Sequence, residues 1–289
     1  MIKYLLLAGA AAFGLLSATS STPDRQAPAQ GNPPQEFEAP IVFQAAGPNV
    51  ASIQSTVDEY RAALGTLNGN APGPLASGRR EINWDGGAVT NQTTSVAGNP
   101  FAGFQVTRGA LFTAPHKGTG FVQAPPVADP AMFPPGGMAG VFNNPTYGTT
   151  FGAFSQSRVF SAIGSNVTIV DFFVPGPNAT NSPATTNGFG SIFTDVDQPD
   201  GSGPSKKHGN RGASTKIEYF GVNGKRLFSS FVPAAPGNAS QSFLGIVFPD
   251  ARIARVKITS GDSAPGPDDD DDDDIVLMDD FIYGEPQSP

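Results

Sequence analysis

The sequence predicts an all-β chain, a two-sheet jelly-roll-like β-sandwich carrying one packed N-terminal amphipathic helix. Three observations point there. Gly (35) and Pro (28) make up about a fifth of the 289 residues, a composition suited to many short strands joined by tight turns. From Phe101 onward, β-branched and aromatic runs alternate with Gly, Pro, Asn and Asp, with no helical pattern between them; antiparallel sheets rather than β-α-β units follow. Cysteine is absent, so the fold must rest on an apolar core, which a chain of this length can bury.

In chain order, Lys3 precedes an apolar run from Tyr4 to Leu16 and the small polar residues Ser17 to Ser21, the layout of a secretory signal peptide over residues 1–21. The apolar core, about 13 residues, is shorter than the roughly 20 needed to cross a bilayer as a helix. A secreted or periplasmic product with no membrane span is therefore expected. Residues 22–44 are rich in Pro, Gln and Ala and read as a flexible leader. A single domain is expected over 45–286. In "SIQSTVDEYRAALG", Ile53, Val57, Tyr60 and Leu64 recur at helical spacing, predicting a helix over 52–64 with Ser52 as N-cap and Gly65 as terminator.

Strands are expected in "FQVTRGALFT", "GFVQA", "GAFSQSRVFSAIG", "NVTIVDFFVP", "NGFGSIFTDVD", "STKIEYFGVNGKRLFSSFVP", "QSFLGIVF", "ARIARVKITSG" and "DIVLMDDFIYG". In "ARIARVKITSG", Ala254, Val256 and Ile258 alternate with Arg255, Lys257 and Thr259, as one buried sheet face requires. Asn223-Gly224 between two runs predicts a hairpin closed by a primed turn.

Asp268 to Asp274 contribute −7 to a net charge of −8, leaving −1 for the rest of the chain. With no basic excess, nucleic acid is an unsuitable partner. Contiguous aspartates repel one another and specify no turn, so residues 262–274 read as a solvated acidic loop. Asp279 and Asp280 differ, because strict alternation puts one on each face of the last strand, hence one among apolar neighbours. A buried carboxylate needs a partner. If "REINWDG" lies beside the last strand, Arg79 or Arg80 would make a structural ion pair, Asp85 and Glu81 would build a calcium site with Asp279 and Asp280, and backbone donors are the third option.

"FTDVDQPDGSG" brings Asp195, Asp197 and Asp200 near a glycine without EF-hand spacing, and "GPSKKHGNRG" gathers Lys206, Lys207, His208 and Arg211; both read as polar loops. Two histidines, no cysteine and no Gly-x-Ser-x-Gly elbow leave little for zinc or nucleophilic chemistry. Paired carboxylates keep a carbohydrate-active enzyme as an alternative. Trp84 and a few tyrosines are candidate stacking rings for a ligand, although most aromatics must be core.

Set side by side, "SGRREINWDG", "GFGSIFTDVD", "SFLGIVF", "ARIARVKITSG" and "VLMDDFIYGEP" resemble the ordered blocks of a group of uncharacterised secreted bacterial proteins, from about residue 52 to 286. The Asp-Asp-apolar end is similar, more loosely, to jelly-roll carbohydrate-binding and adhesion domains, which implies a structural calcium between first and last strands. The reading is a secreted, non-catalytic binding or surface-associated module. Its expected partner is an extracellular glycan or cell-surface component, with a purely structural extracellular protein as a further alternative.

Overall fold

Every strand pairing below is antiparallel. The structure, a computed structural model, describes residues 38–86, 94–128, 135–177, 181–197, 215–267 and 273–289. The signal peptide, the leader up to Phe37, Asp200, the Lys206 to Arg211 cluster and Asp268 to Asp272 lie outside these.

The larger sheet contains β1 (Ile41–Gly47), β2 (Arg79–Ile82), β3 (Ser95–Gly98), β6 (Gly120–Ala124), β7 (Val159–Ile163), β9 (Gly188–Thr194), β12 (Gln241–Val247) and β14 (Leu277–Gly284). The smaller sheet contains β4 (Phe101–Phe104), β5 (Ala110–Thr113), β8 (Val167–Phe172), β10 (Lys216–Phe220), β11 (Arg226–Phe231) and β13 (Arg255–Thr259). Their orders are β1-β12-β9-β14-β7-β6-β3, with β2 against the second half of β14, and β11-β10-β13-β8-β5-β4. The helices are α1 (Ala51–Leu64) and three short ones, α2 (Gln105–Arg108), α3 (Gly137–Val141) and α4 (Tyr147–Thr150).

The core follows from alternation. On β9, Phe189 and Phe193 face the second sheet; on β13, Val256 and Ile258 face back, while Arg255 stays exposed. Trp84 sits in the middle of this layer, stacked on Phe160 at 3.7 Å between ring centres and met edge-on by Phe104, Phe112 and Phe281. Phenylalanine abundance is therefore used as sandwich filling.

The outer face of the eight-stranded sheet is covered as well. Met138 and Ala139 of α3 and Tyr147 of α4 pack on Val122, Val159 and Leu277. Ile53, Val57, Tyr60 and Leu64 of α1 pack on Ile192, Phe243 and Ile282. Tyr60 lies over glycines: a Cβ at Gly245 would stand 2.9 Å from its ring and one at Gly190 3.0 Å. These two glycines face each other across β12 and β9, leaving a floor low enough for an aromatic ring.

Four details depart from expectation. The leader ends earlier, since Ile41 to Gln44 already pair with Val247 to Leu244. The helix starts at Ala51 with Val50, not Ser52, at its N-cap position and no side-chain cap there; the Ser52 N–H donates to Asn49 Oδ1 at 3.2 Å. "QVTR", expected as strand, is the short helix α2. In the β10–β11 hairpin only Gly224 has positive φ, 72°, and its N–H donates to Gly221 O at 2.9 Å. That is a three-residue loop with the glycine in the left-handed position, in place of the two-residue primed turn.

Candidate functional site

The last strand does lie beside "REINWDG": Phe281, Ile282, Tyr283 and Gly284 oppose Ile82, Glu81, Arg80 and Arg79. On its other side β14 pairs with β9, and there the register slips. Met278 opposes Phe193 while Phe281 opposes Ser191, so Asp279 and Asp280 together stand opposite Ile192. This is a β-bulge, two residues against one.

The bulge overturns the expected alternation. Val276, Met278, Phe281 and Tyr283 all belong to the layer between the sheets, a sequence with one step of three. Leu277 and Ile282 belong to clusters on the outer face. Both aspartates therefore turn outward, under the covering helices, and both are buried, at 0% and 1% exposure.

Their partners come from unexpected places. Ser155, in the loop between α4 and β7, has its Oγ 2.7 Å from Asp280 Oδ1, 3.3 Å from Asp279 Oδ1, 3.0 Å from Asp85 Oδ2 and 3.3 Å from Asn83 O. A serine hydroxyl has one hydrogen, so it donates to one of these four oxygens, of which Asp280 Oδ1 is the nearest. The Phe154 N–H donates to Asp279 Oδ2 at 2.6 Å. Arg61 of α1 donates to Asp280 Oδ2 at 3.1 Å and, through two nitrogens, to both oxygens of Glu81. Arg79 donates to Glu81 at 2.6 Å.

Charge balance then assigns the proton. Arg61 is shared among Asp58, Glu81 and Asp280, Arg79 meets Glu81 and Arg158 meets Asp85, so each of these cations is already engaged by a carboxylate other than Asp279. Burial, then the neighbouring Asp280 charge, holds the Asp279 carboxyl well above the usual carboxylate range. Burial also raises Asp280, opposed by Ser155 and Arg61, and raises Asp85, opposed by Ser155 and the Arg158 N–H. Asp279 is thus the neutral acid that donates to its ionised neighbour.

Of the residues singled out in the sequence, Asp85, Asp279 and Asp280 converge on Ser155, while Glu81 is held one step away by Arg61. The arginine at Asp280 is Arg61, not Arg79 or Arg80. Arg80 turns the other way, into a buried pair with Glu285. Trp84, a candidate stacking ring, is 1% exposed and its Nε1–H donates to Asp279 O at 3.1 Å; it is a core residue, and no ligand can reach its face. Among the described residues, no group of three or more acidic, histidine or cysteine side chains is arranged to hold a metal ion.

Among the described residues, one sheet face is left uncovered. The outer side of the six-stranded sheet carries Lys216, Glu218, Phe220, Arg226, Arg255, Lys257 and Asp171, with Arg255 donating to both oxygens of Asp171 at 2.6 and 3.0 Å. Glu218 is met by Arg226, Lys216 and Lys257 at 3.0, 3.6 and 3.4 Å, and these cations hold its carboxyl below the usual value despite the opposing effect of burial. A depression of about 430 Å³ opens here, lined by Ile169, Asp171, Phe220, Val222, Arg255 and Lys257 among others.

No protein-family model, curated protein or solved structure matches the chain.

Proposed function

We propose that the chain is an exported, non-catalytic binding module that takes an extracellular glycan on the outer face of its six-stranded sheet. The carrying observation is the depression beside Phe220 and the Arg255–Asp171 pair. An aromatic edge flanked by fixed charged donors and acceptors suits a hydroxyl-rich ligand. Lys216, Arg226, Arg255 and Lys257 against Asp171 and Glu218 leave the face two charges positive (4 − 2), in a chain of net −8. A polysaccharide bearing carboxylates is therefore the favoured class. The signal-peptide layout of residues 1–21 supports export, and among the described residues no helix is long and apolar enough to cross a membrane.

The buried carboxylates favour binding over catalysis, since Asp279 and Asp280 lie beneath Phe154 and Ser155, out of a substrate's reach. Acidic and neutral glycans should be screened with the purified chain. We expect acidic glycans to bind, more weakly as salt rises, and Phe220→Ala or Arg255→Ala to weaken binding at least about tenfold, the effect of losing about 1.4 kcal/mol. Binding indifferent to both substitutions would reject this face, and turnover of the bound glycan would favour the enzyme alternative.

A further inference from the structure

An edge strand exposes a row of backbone N–H and C=O groups that can pair with another strand, and folds usually blunt it by shortening, bulging or charging it. Of the four strands that end the two sheet orders, three are treated that way. β3 and β4 have four residues each, β4 is irregular against β5 between Phe101 and Phe104, and β11 carries Arg226 and a register shift against β10. β1 is the exception. It pairs with β12 without a break over all seven of its residues, holds no charge, and has proline only outside it, at Pro40 and Pro48. Its other edge has no strand among the described residues. Ile41 and Val42, 64% and 39% exposed, stand on it.

The sequence of β1 fits its own copy. Alternation puts Ile41, Phe43, Ala45 and Gly47 on the face under α1, where Phe43 meets the Tyr60 ring at 5.4 Å between centres, and Val42, Gln44 and Ala46 on the other face. Turned antiparallel about a two-fold axis at Gln44, β1 sets Ile41 opposite Gly47 of the second copy, Val42 opposite Ala46, Phe43 opposite Ala45 and Gln44 opposite Gln44. Each large side chain then meets a small one on the same face, and the two central amides are placed to exchange hydrogen bonds. Gly47 must stay small for its own fold as well, since a Cβ there would stand 2.3 Å from Ser52 Cβ.

We infer that β1 docks on β1 of a second copy of this chain, antiparallel and in register about Gln44, joining two eight-stranded sheets into one. The strand brings no charge to repel its copy, and the exposed Ile41 and Val42 are the apolar groups that pairing covers. The contact is one strand wide, so the dimer is concentration-dependent rather than permanent. Because each pair joins residues of the same face, both α1 helices lie on one side of the joined sheet and both six-stranded sheets on the other. Their outer faces then point the same way. If that face takes glycan, as proposed above, the dimer presents two sites to one polymer and gains by avidity; the pairing itself does not depend on that reading.

The test is sedimentation of residues 22–289, without glycan, over a wide range of concentration, where monomer and dimer should exchange. Gln44 is exposed, so Gln44→Lys and Gln44→Glu should leave Tm unchanged while each abolishes the dimer, by setting like charges directly opposite each other. Mixing the two variants should restore it as a heterodimer, since Lys then faces Glu. A position off the axis would show no such rescue. The inference is overturned if the wild type is monomeric throughout, if either variant alone still dimerises, or if the mixture stays monomeric. A chain that dimerises only once residues 22–37 are removed would overturn it too, by assigning the edge to the chain's own leader.

Discussion

Arg80 and Glu285 form a bidentate ion pair, Nε to Oε2 at 2.5 Å and Nη2 to Oε1 at 2.6 Å, sealed from water between strands at opposite ends of the chain. The third nitrogen of Arg80 donates to the carbonyls of Gly69, Ala71 and Thr107, and Glu285 also accepts from Asn68 Nδ2 and Leu75 N. Every polar atom of the pair is thus satisfied, the condition under which a buried pair can repay its desolvation. It ties the turn-rich stretch before β2, which lacks regular structure of its own, to the end of β14.

Removing either partner leaves the other charge buried and alone. Arg80→Met or Glu285→Leu should each cost about 3–5 kcal/mol, read from urea midpoints. The double variant should cost less than the two summed, because it buries no orphan charge. Strict additivity would show that the residues do not act as a pair.

The aspartate pair on β14 should behave asymmetrically. Asp279 is neutral in the fold, so Asp279→Asn should change stability by less than about 1 kcal/mol, the worth of an ordinary hydrogen bond. Asp280→Asn removes the charge that Arg61 meets and should cost about 1.5–3 kcal/mol, the range for a bond to a charged group. Equal effects, or the reverse order, would place the proton on Asp280.

Little of this cluster was legible in the sequence, for a physical reason. Alternation correctly put Val276 and Met278 on one face, but it put Ile282 there too, and beyond the bulge Ile282 lies on the other; the adjacency of β2 and β14 followed from the jelly-roll expectation. The bulge did not, because it depends on how β9 pairs across Asp279 and Asp280, a tertiary property. Nor did Arg61 and Ser155 announce themselves: each looks like a solvent-facing polar residue until α1 and the loop after α4 lie on the sheet. The helix itself was readable because its stripe is local, and β1 was missed because its pairing with β12 spans most of the chain.

Tyr60 and the glycine floor should show steep steric limits. Tyr60→Ala opens a cavity under α1 and should cost about 3–5 kcal/mol. Gly245→Val should be comparably damaging through overpacking, about 1–3 kcal/mol or more. Tyr60→Phe loses only two long bonds, to Ile282 O at 3.3 Å and Ile246 O at 3.4 Å, and should cost about 1 kcal/mol or less. Urea denaturation of the three variants tests the order.

Trp84 is the single tryptophan, so fluorescence reports this core without labelling. Emission from the folded chain should be blue-shifted and should shift red on unfolding. A glycan bound beside Phe220 on the outer face should leave it unmoved. Emission that shifts when glycan binds would mean that the ligand disturbs the sandwich interior, and the open sheet face would no longer explain recognition.

The pH dependence of stability follows from the direction of the Asp274 shift. Its folded value, about 7, lies above the ordinary 3.8, so the native state holds this proton more tightly than the unfolded chain does. Stability from this group is therefore fully present below about pH 4, is lost as pH rises toward 7, and is flat above. Asp279, raised in the same direction, adds to the same slope, while Glu218, lowered, opposes it by losing its contribution as pH falls. Urea midpoints in chelator should thus increase on acidification from pH 8 to 5, and Asp274→Asn should flatten the rise by removing a term of a few kcal/mol at most. An unchanged slope in Asp274→Asn would mean that this carboxyl is ionised in the fold across the range, and burial would then not be the dominant influence on it.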